Sequence, residues 1–478
     1  MKVLKLTIIA VVLTCFSCKQ ESKIQVDWVS STNDKLWETE TYTGITEAGL
    51  PKININLDIT KTQQTVDVFG GCFNELGWEA LGMITSVEKQ QILNDLFDSI
   101  SGCKFNICRM PIGANDYAVN WYSLNETPED FTMKNFSIDR DKKRLIPYIK
   151  EAQKINPEIE VWASPWCPPS WMKHSKHYAC KANPEVNDLP LELSSTEELV
   201  SRFIMEPEYL EAYALYFSKF VKAYEKEGID ISAVHVQNEP NSAQNFPSCV
   251  WKPQDLGIFI ADYLGPKFEA ENLDTDIWLG TIERPQIERV NDVLEYKNTK
   301  DYVTGVGFQW AGKGAIKEVH AEYPEMQLMQ TETECGDGSN DWKAAEHTFD
   351  LMKHYFENGA NSYMYWNMVL DETGKSQWGW KQNSMISIDS KTRAIVYNPE
   401  FYLMKHLSAF IAPGSLKILA SGDTDNSIVF FNDQRNEINV ITYNKEDSKR
   451  TLSLNVNEHI IKADLDPKSF NTLTVSLN

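Results

Sequence analysis

From Val66 onward the chain alternates short apolar runs with longer amphipathic stretches, the pattern of repeated strand and helix units. Eight runs read as strands: Val66 to Phe73, Phe105 to Pro111, Glu158 to Ser164, Ala233 to Gln237, Asp276 to Gly280, Gly305 to Gln309, Gln327 to Thr331 and Ser362 to Trp366. Helices are expected between them at Ser86 to Phe97, Pro207 to Glu227, Pro253 to Tyr263 and Asp341 to Asn358, the last two opening with residues suited to a first turn. Strands joined by helical crossovers lie parallel, and eight of them can close on themselves. The expected class is α/β: a (β/α)8 TIM barrel over residues 66–405. An open doubly wound sheet is the competing arrangement, but it would carry a glycine-rich phosphate loop near its first strand, and Gly70-Gly71 is too short for one.

On either side of that stretch the period falls to two. Lys52 to Asp58 alternates, and beyond about His406 so do Ser427 to Phe431, Glu437 to Tyr443 and Thr472 to Ser476, separated by turn signals such as Asn432-Asp433 and Asn444-Lys445. Residues 406–478 are expected to form a β-sandwich attached to the side of the barrel, with strands from residues 19–65 pairing into it. The amino terminus differs again. Lys2 and Lys5 precede an apolar run from Leu6 to Phe16 that is too short to span a bilayer as a mature helix, and Ser17-Cys18 follows. This resembles a bacterial lipoprotein signal over residues 1–18, with Cys18 as the acylated first residue. Cys15, preceded by Thr14, is the alternative, and an ordinary cleaved signal is the plainer reading. The expected location is the cell envelope, periplasm or cell surface, with membrane association through the anchor at Cys18.

Composition narrows the partners. A chain of 478 residues with 42% hydrophobic content can bury a barrel core and a smaller accessory core. A formal charge of −22 disfavours nucleic acid and charge-driven attachment to anionic lipid. A neutral carbohydrate is compatible, and 14 Trp residues supply flat rings that can stack on sugars, although most Trp in any protein are core. Of nine cysteines, Cys108 and Cys335 fall on expected buried strands, where a thiol behaves as a small hydrophobe; a Cys167–Cys180 disulfide is one open pairing.

The densest chemistry follows the fourth strand. Ala233 to Gln237 is apolar, then Asn238, Glu239 and Pro240 end it, so an amide and a carboxylic acid are delivered to the strand's carboxyl end. Gln327 to Thr331 likewise delivers Glu332 after the seventh strand. A lone strand-end Glu is usually a solvated or capping carboxylate. Two acids on the rim where barrel strands converge suggest acetal hydrolysis, in which one protonates the leaving oxygen and the other stabilises or captures the anomeric carbon. Asn238 can donate to a substrate 2-hydroxyl, and Arg109 can hold a nucleophilic carboxylate ionised. His235 sits deeper on the same strand face and reads as a satisfied core histidine. His174, His177 and Cys180 recur every third residue, but no fourth ligand lies nearby, and neither a His-Glu-x-x-His pattern nor a Gly-x-Ser-x-Gly elbow occurs. No metal and no cofactor are expected.

With those residues in place, the chain resembles glycoside hydrolase family 30, which includes glucosylceramidase and β-1,6-glucanase, from about Phe69 to the carboxyl end. The likeness is carried by Arg109-Met110-Pro111-Ile112-Gly113-Ala114-Asn115-Asp116, by Ala163 to Lys173, by Gln237-Asn238-Glu239-Pro240, by Gln309-Trp310 and by Tyr365-Trp366-Asn367. It implies a retaining mechanism with Glu239 as acid/base, Arg109 supporting the nucleophile and Asp116 binding sugar hydroxyls. It also implies Trp166 bordering the sugar, Gln309 and Trp310 in the pocket, and Trp366 as a floor for the ring. Each has a structural alternative: ion pair for Arg109, loop cap for Asp116, core packing for Trp166 and Trp366. Trp378, Trp380 and Asn383 are candidates for further subsites.

The family's nucleophile follows Ser or Thr, and both Thr331-Glu332 and Thr333-Glu334 fit. Two positions apart on a strand they face the same side, so depth must separate them. Glu332, where the apolar segment ends, is the expected nucleophile, with Glu334 the alternative. Glucose-configured substrates are favoured: β-glucosides, glucosylceramide-like substrates or β-1,6-glucan. A β-xylosidase, a β-fucosidase and a non-catalytic surface glycan-binding lipoprotein are the alternatives.

Overall fold

The computed structural model describes residues 25–42, 54–456 and 459–477. The expected signal segment and Cys18 lie outside the described residues. Three strands precede the barrel: β1 (Gln25–Ser31), β2 (Glu38–Glu40) and β3 (Ile55–Val66). The barrel consists of β4 (Val68–Cys72), β5 (Ile107–Pro111), β6 (Glu160–Ser164), β7 (Ile231–His235), β8 (Asp276–Ile282), β9 (Val303–Gln309), β10 (Gln327–Glu332) and β11 (Ser362–Asn367). Each coincides with one of the eight apolar runs. All are parallel, and β11 pairs back onto β4 to close the ring.

Closure depends on Gly70-Gly71. A Cβ at Gly70 would lie 1.5 Å from the Ile107 carbonyl oxygen, and one at Gly71 would lie 2.3 Å from Met368 Cγ. Gly70 therefore serves the backbone approach of β4 to β5, and Gly71 leaves room for the Met368 side chain. Gly70→Ala is expected to destabilise the fold by at least about 3 kcal/mol, read as a lower urea midpoint; an unchanged midpoint would remove this role.

The four expected helices are present at Ser86–Phe97, Pro207–Lys226, Pro253–Phe259 and Trp342–Glu357. The first carries a reciprocal Thr85/Glu88 cap, and the last is capped by Asp341 accepting from the Ala344 N–H. The third continues into a π-helical turn, Ile260–Leu264. After the barrel come a small sheet of β12 (Val369–Asp371), β13 (Ile386–Ile388) and β14 (Ile395–Tyr397), then β15 (Ser415–Gly422), β16 (Ser427–Asn432), β17 (Glu437–Asn444), β18 (Arg450–Val456), β19 (His459–Leu465) and β20 (Ser469–Ser476).

β1 to β3 and β15 to β20 form one continuous nine-stranded sheet, in the order β19-β18-β3-β15-β16-β17-β20-β1-β2. The layers expected of a sandwich are thus parts of a single mixed sheet, in which only the β3–β18 pair is parallel. The twelve-residue β3 meets β15 across two register shifts, where strands bend and twist more strongly. Ile55, Leu57, Val440, Leu454 and Leu473 lie in the core it encloses. The helix Pro399–Ser408 runs across the expected 405/406 boundary and anchors this sheet. Its buried His406 bonds Ser31 Oγ and Thr472 Oγ1, each at 2.9 Å.

The seven described cysteines are all buried and unpaired. Cys167 donates to the Pro168 carbonyl and Cys180 to the Ser248 carbonyl, so the open Cys167–Cys180 pairing is not made.

Candidate active site

Arg109, at the middle of β5, is completely buried, and everything around it explains how a cation can be. Its guanidinium donates to Glu332 Oε2 at 2.9 Å, Asn238 Oδ1 at 2.6 Å, Ser164 Oγ at 3.0 Å, and both Gln309 Oε1 and the Thr331 carbonyl at 3.3 Å. The rings of Trp162, Trp166 and Trp366 surround it at 5.0, 4.4 and 5.1 Å. A dense acceptor set with aromatic faces offsets the cost of desolvating the charge. Six barrel strands or their exits, β5 to β7 and β9 to β11, thereby fix one another at the carboxyl rim.

Glu239 lies just past β7 with φ +48°, a left-handed backbone uncommon for a non-glycine residue. Its N–H donates to the Thr281 carbonyl at 3.2 Å, and its own carbonyl accepts from the Ser242 N–H at 3.0 Å. Gln309 links the two acids directly. Its Nε2 donates to Glu239 Oε1 at 3.1 Å and to Glu332 Oε2 at 3.3 Å. Those two oxygens can therefore be no further apart than these legs laid end to end, short of the roughly 6.5 Å at which inverting spacing begins. Trp310 Nε1 adds a bond to Glu332 Oε1 at 3.2 Å.

Burial raises both carboxyl pKa values, and at Glu332 repulsion from a Glu239 carboxylate adds to it, against the pull of Arg109, to reach about 7. Arg109 and Trp310 oppose the rise at Glu332; at Glu239 the amides of Gln309 and Gln244 oppose it, together with the charges of Arg284 and Arg109. Two such acids share one proton over the neutral range. The Arg109 guanidinium favours the charged form of Glu332.

Both open into a cavity of about 530 Å³, with Asp116, Trp166, Asn238 and Trp310 also on its wall. Asn238 Oδ1 is occupied by Arg109, Thr281 and Gln309, so its NH₂ is the group left for a ligand. Asp116 is buried with Oδ1 unpartnered. Among the described residues, neutral polar and aromatic groups beside two acids can bind and cleave a glycosidic linkage.

A family model described as the glycosyl hydrolase family 30 TIM-barrel domain matches residues 66–411. The chain belongs to this family. Family 30 enzymes are retaining β-glycosidases, and the protein is accordingly a retaining glycoside hydrolase. It is 28% identical over 397 residues to the lysosomal acid glucosylceramidase of Mus musculus, covering 78% of this chain and 73% of that one. It is 23% identical over 424 residues to an endo-1,6-β-D-glucanase of Neurospora crassa, covering 84% and 82%. The solved structure of the endo-β1,6-glucanase BT3312 superposes with a TM-score of 0.80 at 23% identity over 95% of this chain and 99% of that one, a likeness of fold.

Within this family 30 chain, Glu334 is drawn away from the pair. It lies past the end of β10, ion-paired with Lys313 and bonded to His347 Nε2 at 2.9 Å. Partial burial alone would raise its pKa, but these partners hold it below the usual carboxylate range. Trp366 has 0% exposure and stacks on Trp166 at 5.4 Å, so it backs Arg109 and the first ring rather than forming the cavity surface. His235 is core, stacked on Trp162 at 4.0 Å, but both ring nitrogens are unpartnered. His177 is engaged by Asp188 and the Ala179 N–H. Of the subsite candidates, Trp380 lines the cavity, Trp378 is buried against Trp121, and Asn383 bonds Glu400 and two backbone N–H groups.

Sequence reading missed Ser164, Thr281, Gln244 and Glu283. Ser164 and Thr281 carry no distinguishing signal. Glu283 follows directly on β8, which runs two residues beyond the expected end at Gly280 and so disguised another strand-end acid.

Proposed function

We infer that the protein hydrolyses β-linked glucosides or glucans, with Glu239 as general acid/base and Glu332 as covalent nucleophile. The observation that carries this is Gln309 Nε2 bonded to both carboxyls, which keeps their bonded oxygens short of the inverting range. In the first step Glu332 Oε attacks the anomeric carbon while Glu239 gives its proton to the departing oxygen. In the second, Glu239 takes a proton from water, which displaces Glu332. Asn238 NH₂ and the free Asp116 oxygen are the groups available to sugar hydroxyls. The glucosylceramidase and 1,6-glucanase names of the relatives favour a glucose-configured ring.

A panel of aryl β-glycosides and a β-1,6-glucan tests this. The β-glucoside is expected to have the highest kcat/KM. Preference for the xyloside or fucoside would move the sugar assignment, and no turnover of any would favour a glycan-binding lipoprotein. Residues 1–18 support export with acylation at Cys18. Radiolabelled palmitate is expected to enter the protein and to be lost in Cys18→Ala; label retained in that variant would refute the anchor.

A further inference from the structure

The half of the cavity beyond Glu239 has a chemistry of its own. The loop after β7 brings Phe246 there, the end of β8 brings Glu283 and Arg284, and the segment after β12 brings Trp380. Phe246 and Trp380 meet edge to face, their centroids 4.3 Å apart and their planes at 66°. Glu283 Oε1 accepts from the Asn241 N–H and the Ser242 hydroxyl, each at 2.9 Å. Its Oε2 is buried without a partner. Arg284 is held from behind by Glu198 at 3.0 Å and reaches the cavity wall. None of these four residues bonds Arg109 or Glu332, so holding the nucleophile does not explain them. Among the described residues, no Leu, Ile, Val or Met side chain lines the cavity.

We propose that this half is a subsite for a second sugar ring, with Phe246 and Trp380 as its platform and Glu283 and Arg284 as its hydroxyl contacts, so that the leaving group is carbohydrate rather than lipid. This rests on Glu239 being the acid, because that role makes its side of the cavity the leaving-group side. Aromatic faces bind the C–H faces of a pyranose, whereas acyl chains need contiguous aliphatic surface, which the wall lacks. Burial pushes the Glu283 carboxyl up to about 8, against the pull of the Arg284 guanidinium 3.6 Å from Oε1. Its unpartnered Oε2 and the Arg284 guanidinium are both able to hydrogen-bond a sugar hydroxyl.

The test compares a β-linked glucobiose with β-glucosyl fluoride, whose leaving group occupies no ring subsite. Trp380→Ala is expected to lower kcat/KM on the disaccharide at least about tenfold, mainly through KM, with less than about a threefold change on the fluoride. Glu283→Gln keeps the acceptor for Asn241 and Ser242 and serves as the milder variant, with the same selective direction. Equal losses on both substrates, no loss on either, or higher kcat/KM of the unaltered protein on micellar glucosylceramide than on any β-glucobiose would overturn the subsite. Failure of the unaltered protein on glucosyl fluoride would remove the catalytic reading itself, and this proposal with it.

Discussion

Glu332→Gln is expected to lower kcat on an aryl β-glucoside at least about 10⁴-fold, the scale of losing a covalent nucleophile. Glu334→Gln should stay within about tenfold of the unaltered protein. The contrast follows from their partners. Glu332 is gripped by Arg109, Gln309 and Trp310 on the cavity wall, whereas Glu334 is bound to Lys313 and His347 outside it. The amide in Glu332→Gln keeps the shape but neither attacks nor balances the buried guanidinium. Removing one member of a buried ion pair also destabilises, so a thermal melt alongside the assay separates lost chemistry from lost fold. If Glu334→Gln proves inactive and Glu332→Gln active, the nucleophile is reassigned.

Glu239→Gln should divide substrates by leaving group. Where the departing oxygen needs a proton, the loss should be about 10²- to 10⁴-fold. An activated aryl glycoside departs without help, so its first step should survive while water attack on the covalent intermediate slows. The kinetic sign is a burst followed by a low steady rate, and added azide, which needs no base, should restore turnover. The pH profile gives an independent reading. With one proton shared by the pair, activity falls when a second proton binds and falls again when the last one leaves. The alkaline decline belongs to Glu239 and should vanish in Glu239→Gln. Equal losses on both leaving-group classes, or an unchanged alkaline limb, would strip Glu239 of the acid role.

The barrel was legible because its strands are buried on both faces and bounded by turns, so each appeared as an isolated apolar run. The crossover helices Glu288–Leu294 and Ile316–Glu322 span only seven residues each, too few to establish a helical period. The curled sheet was less legible. Alternation reveals which face of a strand is buried, but not whether its neighbours form two layers or one continuous sheet. At the site, strand parity put Glu332 and Glu334 on one side and could not separate them. β10 ends at Glu332, so strand parity no longer governs Glu334, which turns to Lys313 and His347. Arg109 was readable as a support for the nucleophile, but its enclosure by Trp162, Trp166 and Trp366 joins residues far apart in the chain, and only the closed barrel brings them together.

The most direct measurement is covalent trapping. Incubation with a 2-deoxy-2-fluoro-β-glucosyl donor bearing a good leaving group slows release of the glycosyl-enzyme, and peptide mass mapping then locates the sugar. A single adduct on Glu332 is the expected result. An adduct on Glu334 or Glu239, or an inverted product with no adduct at all, would contradict the assignment of Glu332 and Glu239 as nucleophile and acid.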